Sequence, residues 1–348
     1  MSYVLITGSN GLVGSESAIF FIKKGFKIIG IDNNLRQSFF GKEASTLWIR
    51  DKLLSKYKNY LHFNNDIRNK LFLKKIFKKF SRKIKLIIHC AAQPSHDFAK
   101  DNAELDFSVN AVGTLNLLEL TRVFCKKVPF IHMSTNKVYG DNPNKIKLIE
   151  KKYRWELKKN NKLYDGIDEE FSIDNCTHSF FGVSKTYADL LVQEYGKNYG
   201  LNTVCFRAGC ITGPNHSGAE LHGFLSYLVK QCIIKRKYSI IGYKGKQVRD
   251  NIHSFDLVNC FWEFYKNPKK GKIYNIGGGR ISNCSIIEAI KFVEKIKNIK
   301  VKKIYIHKNR IGDHIWYISS NKKFKKDYPN WKQKYNTNKI LKQLISKY

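Results

Sequence analysis

The stretch from Tyr3 to Gly14 sets the tightest limit on what this chain can become. A short apolar run, Tyr3–Thr7, leads into Gly8-Ser9-Asn10-Gly11-Leu12-Val13-Gly14, and a helical pattern follows over Leu12–Lys24. Glycines at every third position let the backbone turn tightly, approach a ligand closely and pack the helix against the strand. The start of that helix offers free N–H groups and a positive dipole end to an anion such as pyrophosphate. Further apolar runs at Lys27–Asp32, Tyr60–Asn64, Lys85–Cys90 and Val128–Ser134 alternate with helical patterns at Asn69–Phe80 and Asp101–Cys125. Such alternation specifies βαβ units and therefore an α/β fold, a doubly wound parallel sheet.

The second run ends at Asp32, at the spacing beyond the glycine loop where a carboxylate can hydrogen-bond the ribose hydroxyls of a dinucleotide and repel a 2′-phosphate. NAD is thereby preferred over NADP. Asn33 and Asn34 adjoin it, and Arg36 is a counter-signal, since a guanidinium there can pair with a phosphate. Beyond the first third, Asp141–Asp174 is polar with little periodicity, as expected of an excursion over the surface or a cap over a cleft. Patterning resumes with a helix at Phe180–Tyr199, a strand at Thr203–Arg207 and a helix at Leu221–Lys235. Shorter elements follow at Ser239–Gly242, Phe255–Lys266, Ile273–Ile276 and Ser285–Lys297, and the Lys- and Asn-rich tail is expected to fray.

Composition removes several classes of function. The chain of 348 residues carries 63 Lys+Arg against 28 Asp+Glu, a net charge of +35 that first suggests a nucleic-acid partner. Only 11 of those basic residues are arginine, the side chain whose fork reads bases and phosphates. The lysines are spread along helix faces, as at Lys74, Lys75, Lys78 and Lys79, so solvated surface explains the excess and no nucleic-acid partner is expected. Hydrophobic residues at 43% rule out disorder. Among the eight cysteines the nearest pair is Cys205 and Cys210, which gives no C-x-x-C metal or redox motif, so no metal is expected and the thiols suit a reducing compartment. Without a signal-like N-terminus or an apolar run of about 18 residues, the expectation is a cytoplasmic protein with no membrane partner.

Several separate runs then point the same way: the glycine loop, Asn65-Asp66-Ile67, Ala91-Ala92-Gln93, Asn110, and Ser134-Thr135-Asn136-Lys137-Val138-Tyr139-Gly140. Together they resemble the extended short-chain dehydrogenases/reductases of the sugar-nucleotide epimerase and dehydratase kind, over nearly the whole chain. The resemblance implies a Rossmann-like doubly wound sheet with a smaller C-terminal substrate-binding lobe. Residues 1–207, with part of 238–275 returning to them, would form the NAD-binding domain, and 208–348 mainly the substrate lobe. It further implies that Gly8, Asn10, Gly11, Leu12, Val13, Gly14, Asp32, Asn33, Asn34, Arg36, Asp66, Ile67, Ala91, Ala92, Gln93, Asn110 and Lys185 hold NAD. Thr135 falls at the catalytic Ser/Thr position. Within that superfamily, Ser134–Asp141 and Gly245-Lys246-Gln247-Val248-Arg249-Asp250 most resemble the CDP-tyvelose (CDP-paratose) 2-epimerases. Such enzymes oxidise a sugar carbon, let the keto-sugar rotate, and return the hydride to its other face. Thr135, Asn136, Asn215, His216, Arg249 and Arg310 would then contact a CDP-, UDP- or GDP-linked sugar, the two arginines at its diphosphate. The alternative is that these arginines pair with acids such as Asp250 and Asp313. Family members commonly form homodimers or homotetramers through the helices matching Asp101–Cys125 and Phe180–Tyr199.

Two departures stand out. In the family's Y-x-x-x-K pair the tyrosine is here Phe181, four residues before Lys185 and on the same helix face. A phenyl ring has no proton to exchange, so the usual acid/base is missing. Three readings compete: another group takes the proton, with His96, Lys137, His178 and Cys210 as candidates; Thr135 passes it through water to Lys185; or the protein binds NAD without turnover. The second departure is Asn215-His216 after Gly213-Pro214, where many relatives carry Arg or Gln, which leaves the sugar open. A 4,6-dehydratase needs an Asp-Glu pair after the catalytic Thr; Asn136 and Lys137 stand there instead, so dehydration is disfavoured, while 4-epimerisation stays open.

Overall fold

The computed structural model describes residues 2–220, 222–309 and 312–347. Contacts group the chain into two compact units, one of residues 1–138, 180–207 and 258–274, the other of 139–179, 208–257 and 275–348.

The first unit is built on a seven-stranded sheet. Its spatial order is Tyr60–Phe63, Lys27–Ile31, Tyr3–Thr7, Ile84–His89, Phe130–Thr135, Thr203–Ala208 and Lys272–Ile276. The pairings from Tyr60–Phe63 across to Phe130–Thr135 are parallel. Strand order therefore reverses direction between Tyr3–Thr7 and Ile84–His89, the switch point at which doubly wound sheets bind their ligands. Both sheet faces are covered, so these strands read as near-continuous apolar runs. Helix Lys70–Phe80 shows how the lysines are accommodated: Leu73, Ile76, Phe77 and Phe80 are buried, while Lys74, Lys75, Lys78 and Lys79 face solvent. Asn69 caps it by accepting from the Phe72 amide at 3.0 Å.

Expected and observed elements agree to within a residue or two along most of this unit. Three short helices, Arg36–Phe40, Leu47–Lys56 and His96–Asp101, were not anticipated, because each is too short or too weakly periodic to stand out. The single helix expected over Asp101–Cys125 is instead Ala103–Phe107, a π-helical turn at Ser108–Val112 and Gly113–Phe124. That wide turn carries the buried Asn110. A buried ion pair adds to the core: Arg207 donates to both carboxylate oxygens of Asp189, at 3.1 and 2.8 Å, and Ser134 donates to the same carboxylate.

In the second unit, helices Phe224–Ile233, Ile286–Lys297 and Thr337–Ser346 share a core of Leu225, Leu228, Val229, Ile290, Val293, Leu341 and Leu344. Strands Tyr238–Ile241 and Lys303–Ile306 pair in parallel, while Val248–His253 pairs in parallel with Cys210–Thr212 and antiparallel with Asn283–Ser285. The sequence reading put 139–179 in the first domain, whereas its contacts group it here. Its asparagines explain the grouping: Asn144 donates to the Asp313 carbonyl at 2.8 Å and accepts from the Ile315 amide at 2.7 Å, and Tyr139 donates to Asn275 at 2.8 Å. The tail also departs from expectation. Asn336 caps Thr337–Ser346 through the Lys339 amide, and Ile340, Leu341, Leu344 and Ile345 are buried, so an amphipathic stripe under the lysines holds it in place. Leu341→Ala is expected to cost about 2–5 kcal/mol of stability in urea unfolding; a change below about 0.5 kcal/mol would mean the helix is not docked.

Candidate active site

The glycine loop is shaped by close backbone contacts. Gly8 has φ +69, and a Cβ there would lie 2.6 Å from the Ala91 amide nitrogen; at Gly14 a Cβ would lie 2.1 Å from the Gly8 carbonyl oxygen. Both positions thus exclude any side chain. Gly11 N-caps helix Leu12–Lys23 without a side-chain hydrogen bond, leaving the helix start open to an anion. Asn10 is buried, and its Nδ2 has no hydrogen-bond partner. The open start of helix Leu12–Lys23, with the buried Asn10 Nδ2 next to it in the loop, fits the pyrophosphate of a dinucleotide.

Asp32 closes the loop from the neighbouring strand. Its carboxylate accepts from the Asn10 amide at 3.0 Å and the Asn34 amide at 2.8 Å, yet burial outweighs these bonds and holds its pKa above the usual carboxylate value. Beneath the loop, Tyr60 donates to Ser9 Oγ at 2.8 Å. Asn33 donates to Asp66 at 2.9 Å, and Arg68 forks onto the same carboxylate at 2.9 and 2.8 Å; burial alone would raise Asp66's pKa, but these partners bring it down. Asn34 is structural: its Oδ1 accepts from the Thr46 amide at 2.8 Å and its Nδ2 donates to Gln37 at 2.9 Å. Arg36 lies 4.8 Å from the Phe40 ring, and burial lowers its pKa to about 10. Ile67 packs at Gly113, where a Cβ would lie 2.4 Å from its Cδ1.

The turn Ala91-Ala92-Gln93 follows strand Ile84–His89 and is tied down by Asn110. Gln93 donates its amide to Asn110 Oδ1 at 2.9 Å, and Asn110 Nδ2 lies 3.0 Å from the Gln93 carbonyl, Asp106 and Ser184 Oγ alike. At the end of strand Phe130–Thr135, Thr135 Oγ1 is half-buried and accepts from the Lys137 amide at 3.2 Å, with Asn136 buried beside it. Helix Phe180–Asn198 carries Phe181 and Lys185, both buried. Lys185 Nζ donates to the Met133 carbonyl at 2.7 Å and faces His132 Nε2 at 3.3 Å. Burial pulls the Lys185 pKa from 10.5 to about 8.

Two histidines behind Lys185 were missed from sequence. His132 and His89 are register partners on adjacent strands, their ring centroids 5.1 Å apart. Burial, reinforced by Lys185, holds both pKa values far below neutrality, that of His89 at about 3, so both rings are neutral and His132 can accept from the ammonium. The alternation of His132 with Ser134 hints at a shared strand face, but the partnership with His89 depends on sheet register, which sequence does not carry.

Of the candidate bases, His96 opens helix His96–Asp101, and its ring lies edge-on to Phe181, centroids 4.8 Å apart at 65°. Lys137 is half-buried next to Thr135 in the turn Asn136–Tyr139. In the second unit, His178 Nε2 faces the Ile173 carbonyl at 2.9 Å and Cys176 at 3.4 Å, and Cys210 lies in strand Cys210–Thr212 opposite Asn251. Asn215 and His216 are both buried; Ser226 Oγ lies 3.3 Å from His216 Nδ1, and Gly223 leaves room for the imidazole, since a Cβ there would be 2.3 Å from it. Arg249 Nη2 lies 3.7 Å from Asp313, a loose pairing. Asp250 is not its partner, because that carboxylate accepts from the Ser319 and Gly279 amides at 2.9 and 3.1 Å. Arg310 lies outside the described residues.

The displaced pKa of Lys185 makes a signed prediction. Between about pH 8 and 10.5 the unfolded chain holds the lysine proton and the folded chain does not, so this group's contribution to stability rises with pH across that window and is least favourable below it. Relative to Lys185→Met, the wild-type urea midpoint is expected to climb from pH 8 to pH 10. A pH-independent difference between the two would refute the shift.

Comparison with known proteins agrees with this geometry. Residues 4–277 match the model of the NAD dependent epimerase/dehydratase family. The chain is 33% identical over 307 residues to the CDP-paratose 2-epimerase of Salmonella typhi, 86% of each chain being covered. It is 27% identical to the UDP-glucuronate 4-epimerase of Thermodesulfobacterium geofontis, over 99% of this chain and 96% of that one. Among solved structures, the fold is similar to that of Thermus thermophilus UDP-glucose 4-epimerase in complex with NAD, with a TM-score of 0.78 at 21% identity, covering 99% and 98% of the two chains. Glycine cradle, strand order and sequence likeness converge: the chain belongs to the NAD-dependent epimerase/dehydratase family of enzymes that act on sugar nucleotides.

Proposed function

We propose that the protein is an NAD-dependent epimerase of a nucleoside-diphosphate sugar, similar in reaction to the CDP-tyvelose/CDP-paratose 2-epimerases. The observation that carries this reading is the 33% identity to the Salmonella typhi CDP-paratose 2-epimerase, shared over 86% of both chains. Asn136 and Lys137 after Thr135 support epimerisation over dehydration, since neither supplies the carboxyl chemistry that loss of water requires.

In this reading the amides from Gly8 to Gly14 hold the cofactor pyrophosphate, Asp32 takes the adenosine ribose, and Asp66 and Ile67 flank the adenine. The turn Ala91–Gln93, with Asn110 behind it, lines the path to the nicotinamide, and Lys185 holds the nicotinamide ribose. Bound NAD supplies a hydride acceptor that later returns the hydride. Thr135 orients the reacting sugar hydroxyl, Asn136, Asn215 and His216 contact the sugar, and Arg249 and Arg310 neutralise its diphosphate. Arg249 Nη1 donates to the Val248 carbonyl at 3.0 Å, while Nη2, in loose 3.7 Å contact with Asp313, is the end of the fork that would turn to phosphate oxygens.

We further propose a homodimer. Phe107, at the end of helix Ala103–Phe107, and Phe180, Val183, Tyr187 and Leu190 on helix Phe180–Asn198 are all exposed, an apolar face of the kind that subunits cover. The eight cysteines, none of them in a disulfide, fit a cytoplasmic setting. A second reading, NAD binding without turnover, is favoured by the phenyl ring at position 181.

Denaturing the purified protein should release about one NAD per chain, detected by mass spectrometry. CDP-paratose deuterated at C2 should be converted to CDP-tyvelose with the label retained. Released NAD with no conversion of CDP-paratose or UDP-glucuronate favours the binding protein, and conversion of UDP-glucuronate alone favours a 4-epimerase. A protein unable to bind NAD would overturn both. In sedimentation, Leu190→Glu should yield a monomer; a dimer that persists would exclude this face.

A further inference from the structure

We propose that His96 is the catalytic acid/base that stands in for the tyrosine hydroxyl absent at Phe181. The inference rests on the epimerase reading and names the group that handles its proton.

The argument starts from how firmly His96 is placed. Gln93 Nε2 donates to the Ser95 carbonyl and to Asp106, at 2.9 and 2.8 Å, and its Oε1 accepts from the Ser95 amide. Ser95 then caps the next helix by accepting from the Phe98 amide at 3.1 Å. Through Asn110 the same network reaches Ser184, the residue before Lys185. His96 is the first residue of the helix so anchored, and it is half-buried. Its ring is set edge-on against Phe181, at 4.8 Å between centroids, an arrangement that aromatic quadrupoles favour.

Phe181 precedes Lys185 by one helical turn, so it occupies the position from which a tyrosine would reach the site. The phenyl ring transfers no proton, but it gives the imidazole a flat apolar wall. An imidazole ring nitrogen can take up a proton and give it back, which is what the missing hydroxyl would do. Among the described residues, His96 is the candidate in ring contact with Phe181. Lys185 Nζ is directed at Met133 and His132, and His178 Nε2 at the Ile173 carbonyl.

The chemistry balances. In the forward step the sugar hydroxyl O–H bond would break and its proton pass to an imidazole nitrogen of His96, while bound NAD would supply the acceptor for the hydride that leaves the hydroxyl-bearing carbon as its C=O bond forms. After the keto-sugar rotates, the hydride returns to the opposite face of that carbon and the imidazolium gives its proton back to the oxygen. No net oxidation occurs, and His96 ends neutral as it began.

The test compares wild type with His96→Gln, His96→Ala and the double variant His96→Ala/Phe181→Tyr, using CDP-paratose and UDP-glucuronate as probes and the bound NAD content as a check on folding. With NAD retained, both single variants should lose about 10²- to 10⁴-fold in turnover. Added imidazole should restore part of the His96→Ala rate, and the new hydroxyl of the double variant should restore at least about tenfold. In a separate readout, diethyl pyrocarbonate should modify His96 in the NAD-loaded wild type, and CDP-paratose should protect it. Rates within about threefold of wild type in both single variants would overturn the proposal, as would a loss that neither imidazole nor the tyrosine repairs, or labelling that CDP-paratose does not reduce. A wild type that keeps NAD and converts neither probe overturns the epimerase reading itself, and His96's role falls with it.

Discussion

The side-chain amide of Asn110 is the junction on which the first unit's candidate active site depends. It accepts from Gln93 and lies within hydrogen-bond reach of the Gln93 carbonyl, Asp106 and Ser184, and so ties the turn after the fourth strand to the helix that carries Phe181 and Lys185. All these groups are buried, where each bond is electrostatically stronger and each missing partner more costly than in water. Burial raises the Asp106 pKa, and Ser184 and Gln93 act against it. With so many partners converging on one amide, the turn and the helix cannot shift independently.

The electrostatics around Lys185 follow a similar economy. A buried ammonium needs acceptors, and it finds a carbonyl and a neutral imidazole in place of a carboxylate. The nearest carboxylate on its own helix face, Asp189, is held by Arg207 and Ser134. Lys185 is therefore left within reach of losing its proton near neutral pH, whereas a direct carboxylate partner would have fixed it as a cation. The excess positive charge of the whole molecule plays little part here, because the lysines that make it up lie on solvent-facing helix surfaces such as that of Lys70–Phe80.

Much of this was legible in the sequence wherever the decisive residues are consecutive. The glycine loop, Asp32, Ala91–Gln93, Ser134–Gly140 and the spacing from Phe181 to Lys185 each declare themselves within one strand end or one helical turn. What stayed hidden depends on residues far apart in the chain. The pairing of His89 with His132 needs strand register, and the contact of His96 with Phe181 needs a turn held by Asn110 from a third element. The docked tail was misread because its lysines and asparagines outweighed a stripe of only four apolar side chains. The segment 139–179 was assigned by position along the chain, whereas its asparagine side chains bond to backbone around 313–315.

The wide turn at Ser108–Val112 amounts to one residue more than an α-helix would need over the same rise. Its effect is one of phase. Each residue in an α-helix advances the side chains by about 100°, so the extra residue sets the faces of Ala103–Phe107 and Gly113–Phe124 out of step with each other. Asp106, ahead of the break, meets the Gln93 side chain, while Gly113, just beyond it, meets Ile67 where no side chain would fit. A regular helix lacking that one extra residue would satisfy one of these two contacts and turn the other away. The helix thus serves two partners that a single regular screw could not face at once.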